Sequence, residues 1–156
     1  MTTITVNAVT SDDIDALVAS VAELFREDGG QHDTTVNIGW PASHGAAYYS
    51  DLVDDRACLM LLARDGERVV GHLVGKLSGL SDIRIECIAV LESIRVAPSS
   101  RRAGVGSLLV QHFFRWARDS GAQQASVTAY AANDTALRLY AQHGFVPQSV
   151  ISRAVL

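Results

Sequence analysis

The stretch Leu91–Ser107, LESIRVAPSSRRAGVGS, constrains the fold more than any other part of the chain. A β-rich run is stopped at Pro98, which cannot donate to a strand ladder. Ser99 and Ser100 then lead into Arg101-x-x-Gly104-x-Gly106, which opens a helix. Glycines let backbone approach a ligand closely. The unpaired N–H groups of a helix start, together with the helix dipole, favour an anion. A third glycine in the dinucleotide-binding pattern is missing and no Gly-Lys-Ser/Thr follows, so neither a dinucleotide loop nor a Walker loop fits. A pyrophosphate cradle of another kind remains. The helix it opens runs from about Gly104 to Ser120, with Val105, Leu108, Leu109, Phe113, Trp116 and Ala117 on one face and Gly121 at its end.

The remaining elements follow from periodicity. Thr3–Ala8 alternates as a strand, and Thr10 starts a capping-box-like turn into a helix carrying Ile14, Leu17, Val18, Val21, Leu24 and Phe25. Gly29-Gly30 end that helix, and a second, weaker one is expected from about Ser43 to Leu52. Cys58–Ala63 and about Arg68–Leu77 form a hairpin around Asp65-Gly66. Ile83–Val96 reads as one long bent strand, Ala125–Ala129 as a short one, and Asn133 or Asp134 caps a helix to about His143. Phe145–Leu156 supplies one or two final strands. The predicted fold is α+β: a mixed, mostly antiparallel sheet of six or seven strands with about four helices.

Length and composition exclude several classes. The 156 residues suit one domain, expected to span 1–156, and 48% hydrophobic with 19% charged residues indicates a folded core. No apolar run is long enough to span a bilayer, and the N-terminus lacks a signal-peptide pattern. A cytoplasmic location is therefore expected. Cys58 and Cys87 are too few for a disulfide framework or metal knuckle, and both are read as buried small hydrophobes. His32 and His44 make no metal-ligand spacing with a cysteine, so no metal is expected. A net charge of −4 argues against a nucleic-acid partner.

The chain resembles the GNAT superfamily of N-acetyltransferases. That family's strand ending in V-x-P, followed by Q/R-x-x-G-x-G/A, stands here as Val96-Ala97-Pro98 and Arg101-Arg102-Ala103-Gly104-Val105-Gly106. Its second pattern, N-x-x-A-x-x-x-Y-x-x-x-G-F, stands as Asn133, Ala136, Tyr140, Gly144 and Phe145. The resemblance implies acetyl-CoA as co-substrate. By the same likeness, the Ile94 N–H would hold the thioester carbonyl, and Arg95 and Val96 would bind pantetheine. Backbone groups of Arg101, Arg102, Ala103, Gly104, Val105, Gly106 and Ser107 would bind the pyrophosphate, with Asn133 beside the pantetheine arm.

Tyr140 is the candidate acid, since a departing thiolate needs a proton that a phenol can donate; its spacing from Ala136 would equally suit a core aromatic. Glu92 is the candidate base, two residues before Ile94 and so expected on the same sheet face. It could instead be a strand-end carboxylate paired with Arg95 or Arg84, and Glu86 is the weaker alternative. Asp28, His32, Asp33 and Trp40, with His44, Tyr48 and Tyr49, fall where the resemblance implies the acceptor-site wall. Acids with aromatics suit a small cationic amine, though each could be ordinary loop or core. A peptide N-terminus or lysine as acceptor, a non-catalytic acetyl-CoA sensor, and a plain interaction domain are the alternatives. The apolar segment Val150–Leu156 could pair in a homodimer or complete the chain's own sheet.

Overall fold

Strand-forming segments with one partner on each side dictate most of the sheet. In the computed structural model, which describes residues 3–156, the strands are β1 (Ile4–Ala8), β2 (Cys58–Asp65), β3 (Arg68–Ser78), β4 (Ile88–Val96) and β5 (Gln124–Val127). They lie in the order β1-β2-β3-β4-β5. The first three pairings are antiparallel, and β5 joins β4 in parallel, fed by a helical crossover. The helices are α1 (Ile14–Leu24), the single turn α2 (Gly30–His32), α3 (Ala46–Leu52), α4 (Val105–Asp119) and α5 (Asp134–Gln142). The Thr10 N–H donates to the Asp13 carboxylate at 2.9 Å, closing the start of α1 as its sequence predicts.

Two apolar layers hold the sheet between helices. On one face, Leu17 and Val21 of α1 and Tyr49 of α3 pack on Met60, Leu62 and Val74. On the other, Leu109, Val110, Phe113 and Ala117 of α4 and Tyr140 of α5 pack on Leu61, Ala63, Leu73, Ala89 and Leu91. Complete burial of a side chain such as Phe113 or Leu17 contributes about 1.5–3 kcal/mol each.

The sheet has five strands among the described residues, not six or seven. Residues 83–87 alternate like a strand yet form none, because β3 ends opposite Ile88 at Ser78 and leaves them no partner; Ile83 and Ile85 lie in solvent. Residues 145–156 form none either, with Val146, Val150, Ile151, Val155 and Leu156 exposed. Arg153 is instead drawn onto Asp33, at 2.9 Å. Strand propensity without a neighbouring edge makes no strand. The cysteines also differ from expectation: both are half-buried, Cys58 at a strand start and Cys87 in the loop before β4. No helix among the described residues is long and apolar enough to cross a membrane.

Candidate active site

Two irregularities in the sheet create the site. First, β5 pairs with β4 only from Ile88 to Leu91, then ends at Val127, two residues sooner than its sequence suggests. The second half of β4 therefore has no neighbour on that side. The Ala97 N–H donates to Val70 O at 2.7 Å, so the alternation of an antiparallel ladder turns Ser93 and Arg95 to β3. Ile94 and Val96 then offer their N–H and C=O groups to the open side.

Second, β4 carries a bulge. Val74 is paired with Ser93 and Gly75 with Leu91, leaving Glu92 without a partner. The extra residue resets the alternation of side chains. Glu92 and Ser93 both line a cleft of about 450 Å³ with Phe25, Trp40, Tyr48, Tyr49 and Thr128. Ile94 packs into the α4–α5 layer with Leu91 and Val96. The expectation that Glu92 and Ile94 share a face is thus corrected: the bulge sends them to opposite faces.

The cleft is walled by aromatics. Trp40 stacks on Phe25 at 5.9 Å and meets Tyr48 edge-on at 5.3 Å. Glu92 is the one carboxylate among its lining residues. It pairs with neither Arg95 nor Arg84. Arg95 instead makes a two-pronged contact with Glu27, at 2.8 and 3.1 Å. Lys76 lies by Tyr48 and Glu92, which raise its pKa.

At the far end of the open edge stands the glycine loop. Gly104 adopts φ +79°, a left-handed conformation that favours glycine, and Arg102 is also left-handed at φ +64°. Helix α4 begins immediately afterwards. Its first intrahelical N–H, from Leu108, reaches Gly104 O, leaving the amides of Val105, Gly106 and Ser107 without helical partners. The side chain of Arg101 folds back, donating to Val96 O at 3.1 Å and reaching Glu27 at 3.5 Å, while Arg102 and Ala103 are exposed. Such a cradle of free amides and arginines, continuous with an open strand edge, fits a pyrophosphate carrying a peptide-like arm.

The remaining sequence candidates gather between the two ends. Asn133 caps α5 through Ala136 N, at 3.2 Å, and its amide donates to Asp28 at 3.1 Å. Tyr140 is buried against Phe145 in the α4–α5 layer. Burial, followed by the charge of Asp28, pushes its phenol up to about 12. His32 lies 3.8 Å from Asp28 and packs at a tilt on Tyr130, with ring centroids 5.2 Å apart. Asp33 is held at about 2 by the Thr35 hydroxyl and by Arg153. Of the residues expected at the acceptor wall, Trp40, Tyr48 and Tyr49 line the aromatic cleft, whereas Asp28, His32 and Asp33 stand by Asn133, Tyr130 and Arg153.

Three residues that shape the site escape sequence reasoning. Glu27, which ties β4 to the glycine loop, looks like any acid on a solvated helix; it is aimed by the wide π-type turn Phe25–Gly29 that extends α1. His72 and Ser93 do leave a signal, as polar residues inside otherwise apolar strands. His72 is fully buried between Ser20 Oγ and Ser93 Oγ, each at 2.6 Å. Burial, then the Arg95 charge, lowers its pKa from 6.5 to about 3. A base depressed on folding stabilises fully above its unfolded pKa, and that contribution is lost as pH falls from about 6.5 toward 3. Urea midpoints at pH 7 and pH 5 should therefore fall further for the natural chain than for His72→Asn.

These features match a known family. The model for the acetyltransferase (GNAT) family matches residues 17–145. The chain belongs to that family. It is, by that membership, an acyltransferase. Solved structures share its fold. The aminoglycoside N-acetyltransferase AAC(6')-Iy in complex with CoA superposes with a TM-score of 0.81 at 14% identity, covering 100% of this chain and 96% of that one. A predicted acetyltransferase with acetyl-CoA from Clostridium acetobutylicum gives 0.79 at 12% identity, covering 98% and 96%. A transcriptional regulator from Bacillus halodurans C-125 gives 0.78 at 22% identity, covering 99% and 100%. No curated protein sequence matches the chain. In this GNAT protein no group of three or more His, Cys, Asp or Glu side chains is arranged to hold a metal among the described residues.

Proposed function

We propose that this chain moves an acetyl group from acetyl-CoA to a primary amine of a small cationic molecule, by direct attack within a ternary complex. The observation that carries the reading is the continuity of the open β4 edge with both the anion cradle at α4 and the aromatic cleft holding Glu92. CoA or acetyl-CoA in two structural neighbours supports the donor, and an aminoglycoside N-acetyltransferase among them supports a small amine.

When bound, acetyl-CoA supplies the acetyl group on a thioester. The amides of Arg101 to Ser107 would hold its pyrophosphate, and the Ile94, Arg95 and Val96 backbone its pantetheine, with Asn133 close by. The Ile94 N–H would meet the carbonyl oxygen as negative charge develops there. Glu92 would take a proton from the ammonium, directly or through water. The amine nitrogen would then bond to the acetyl carbon as the carbon–sulfur bond breaks; Tyr140 would give the sulfur its proton and regain one, directly or through water, as the acylated nitrogen loses its second proton. Trp40 and Tyr48 would face the remaining positive charge of the acceptor. Asp28, His32 and Asp33 would act at the rim and not at the reacting amine.

A CoA-release assay against amines, polyamines, aminoglycosides, amino acids and short peptides tests this. Release with cationic amines, falling about 100-fold in kcat/KM for Glu92→Gln, is expected. Release only with peptides would move the acceptor to a protein. A thermal shift with acetyl-CoA and no release from any acceptor would favour sensing over turnover.

A further inference from the structure

The bulge in β4 delivers two consecutive side chains, a carboxylate and a hydroxyl, to one cleft, where a regular strand would send one of them through the sheet. The direction of the hydroxyl proton can be read from what lies behind it. Ser20, on α1, is buried, and its Oγ meets only His72 Nδ1 among the described residues. A buried hydroxyl must donate somewhere, so its proton goes to Nδ1. A neutral imidazole then carries its single hydrogen on Nε2, which donates to Ser93 Oγ. With one of its two lone pairs engaged by the ring N–H, Ser93 cannot give its own O–H to the imidazole and has it free for another acceptor. Among the described residues no other side chain or backbone group takes that proton, and Ser93 lines the cleft.

We propose that Ser93 is a substrate-positioning residue, held in donor mode by Ser20 and His72, which selects amines bearing an oxygen acceptor close to the nitrogen that faces Glu92. The inference deepens the transferase reading and rests on it for the identity of the cleft. It makes the acceptor an amino alcohol or amino sugar type of molecule, not a plain alkyl amine. Ser20 and His72 act through Ser93 and touch no substrate.

The matched probes are 1,3-diaminopropan-2-ol and 1,3-diaminopropane, which differ by one hydroxyl. Binding of each is measured by calorimetry with CoA present, and CoA release alongside it. The natural chain should bind the hydroxylated diamine about 3- to 10-fold more tightly, the effect of one neutral hydrogen bond. Ser93→Ala should abolish that preference, Ser93→Thr should keep it, and Ser20→Ala should reduce it. Long-range proton–nitrogen NMR of His72 should place the ring hydrogen on Nε2 in the natural chain and spread it over both nitrogens in Ser20→Ala. Equal binding of the two diamines by the natural chain, a preference surviving in Ser93→Ala, or a hydrogen on Nδ1 would each overturn the proposal. A binding preference that vanishes in Ser93→Ala while no amine releases CoA would sink the transferase reading and leave this one standing. CoA release indifferent to the hydroxyl would do the reverse.

Discussion

Replacing Tyr140 by Phe should lower kcat by about 100- to 1,000-fold while leaving the affinity for CoA within about threefold of the natural chain. The phenol is buried beside Phe145, and its pKa, pushed up to about 12 by burial and by Asp28, keeps it protonated at every working pH. It can therefore enter each turnover as a donor, and the aromatic ring that Phe retains preserves the packing in the α4–α5 layer. Stopped-flow acetylation with the best amine from the panel, together with calorimetric CoA binding, separates the two quantities. A variant with full kcat would remove Tyr140 from the chemistry and return it to the core. Loss of CoA binding in step with kcat would make its role structural.

The second large effect is on stability. A Cβ at Gly71 would stand 2.5 Å from the carbonyl oxygen of Arg95, across the β3–β4 ladder, and 3.5 Å from Leu109. Backbone cannot rotate away as a side-chain tip can, so Gly71→Ala should push β4 outward or break the ladder. A cost of about 3 kcal/mol, or a fall in Tm of about 10 °C, is expected. Because the displaced segment carries the Ile94–Val96 edge, CoA affinity should fall too, even at temperatures where the variant stays folded. Thermal melts with and without acetyl-CoA read both. A melt unchanged within about 2 °C would mean that the strands separate here without strain.

Glu27 shows why the site was only partly legible. Nothing in FREDG distinguishes it from the neighbouring acids, yet the π-type turn aims it at Arg95 and Arg101, where it joins α1, β4 and the glycine loop. The same turn carries Asp28 to Asn133 and away from the aromatic cleft, so residues read together as one wall divide between two places. Asp33 belongs with the C-terminal segment for the same reason: its partner, Arg153, is distant in sequence.

What the sequence by itself determined was most of what is local, although the π-type turn Phe25–Gly29, which carries the first helix through the Gly29-Gly30 end expected for it, was not. The capped start of α1, the Asp65-Gly66 hairpin, the Pro98 stop, the left-handed Gly104 and the Asn133 cap rest on neighbours within a few positions, where spacing and backbone preference decide. The glycine loop and the Asn133–Phe145 pattern carried the family likeness for that reason. Tertiary structure alone decided whatever needs a distant partner. Ile83–Cys87 and the C-terminal segment have strand-like residues but no edge to join, and β5 stops early, which frees the β4 edge. The bulge at Glu92 exists only in the register between two strands, and it alone sets which side chains face the cleft. A periodicity of two, counted along one strand, contains no term for the residue that its neighbour skips.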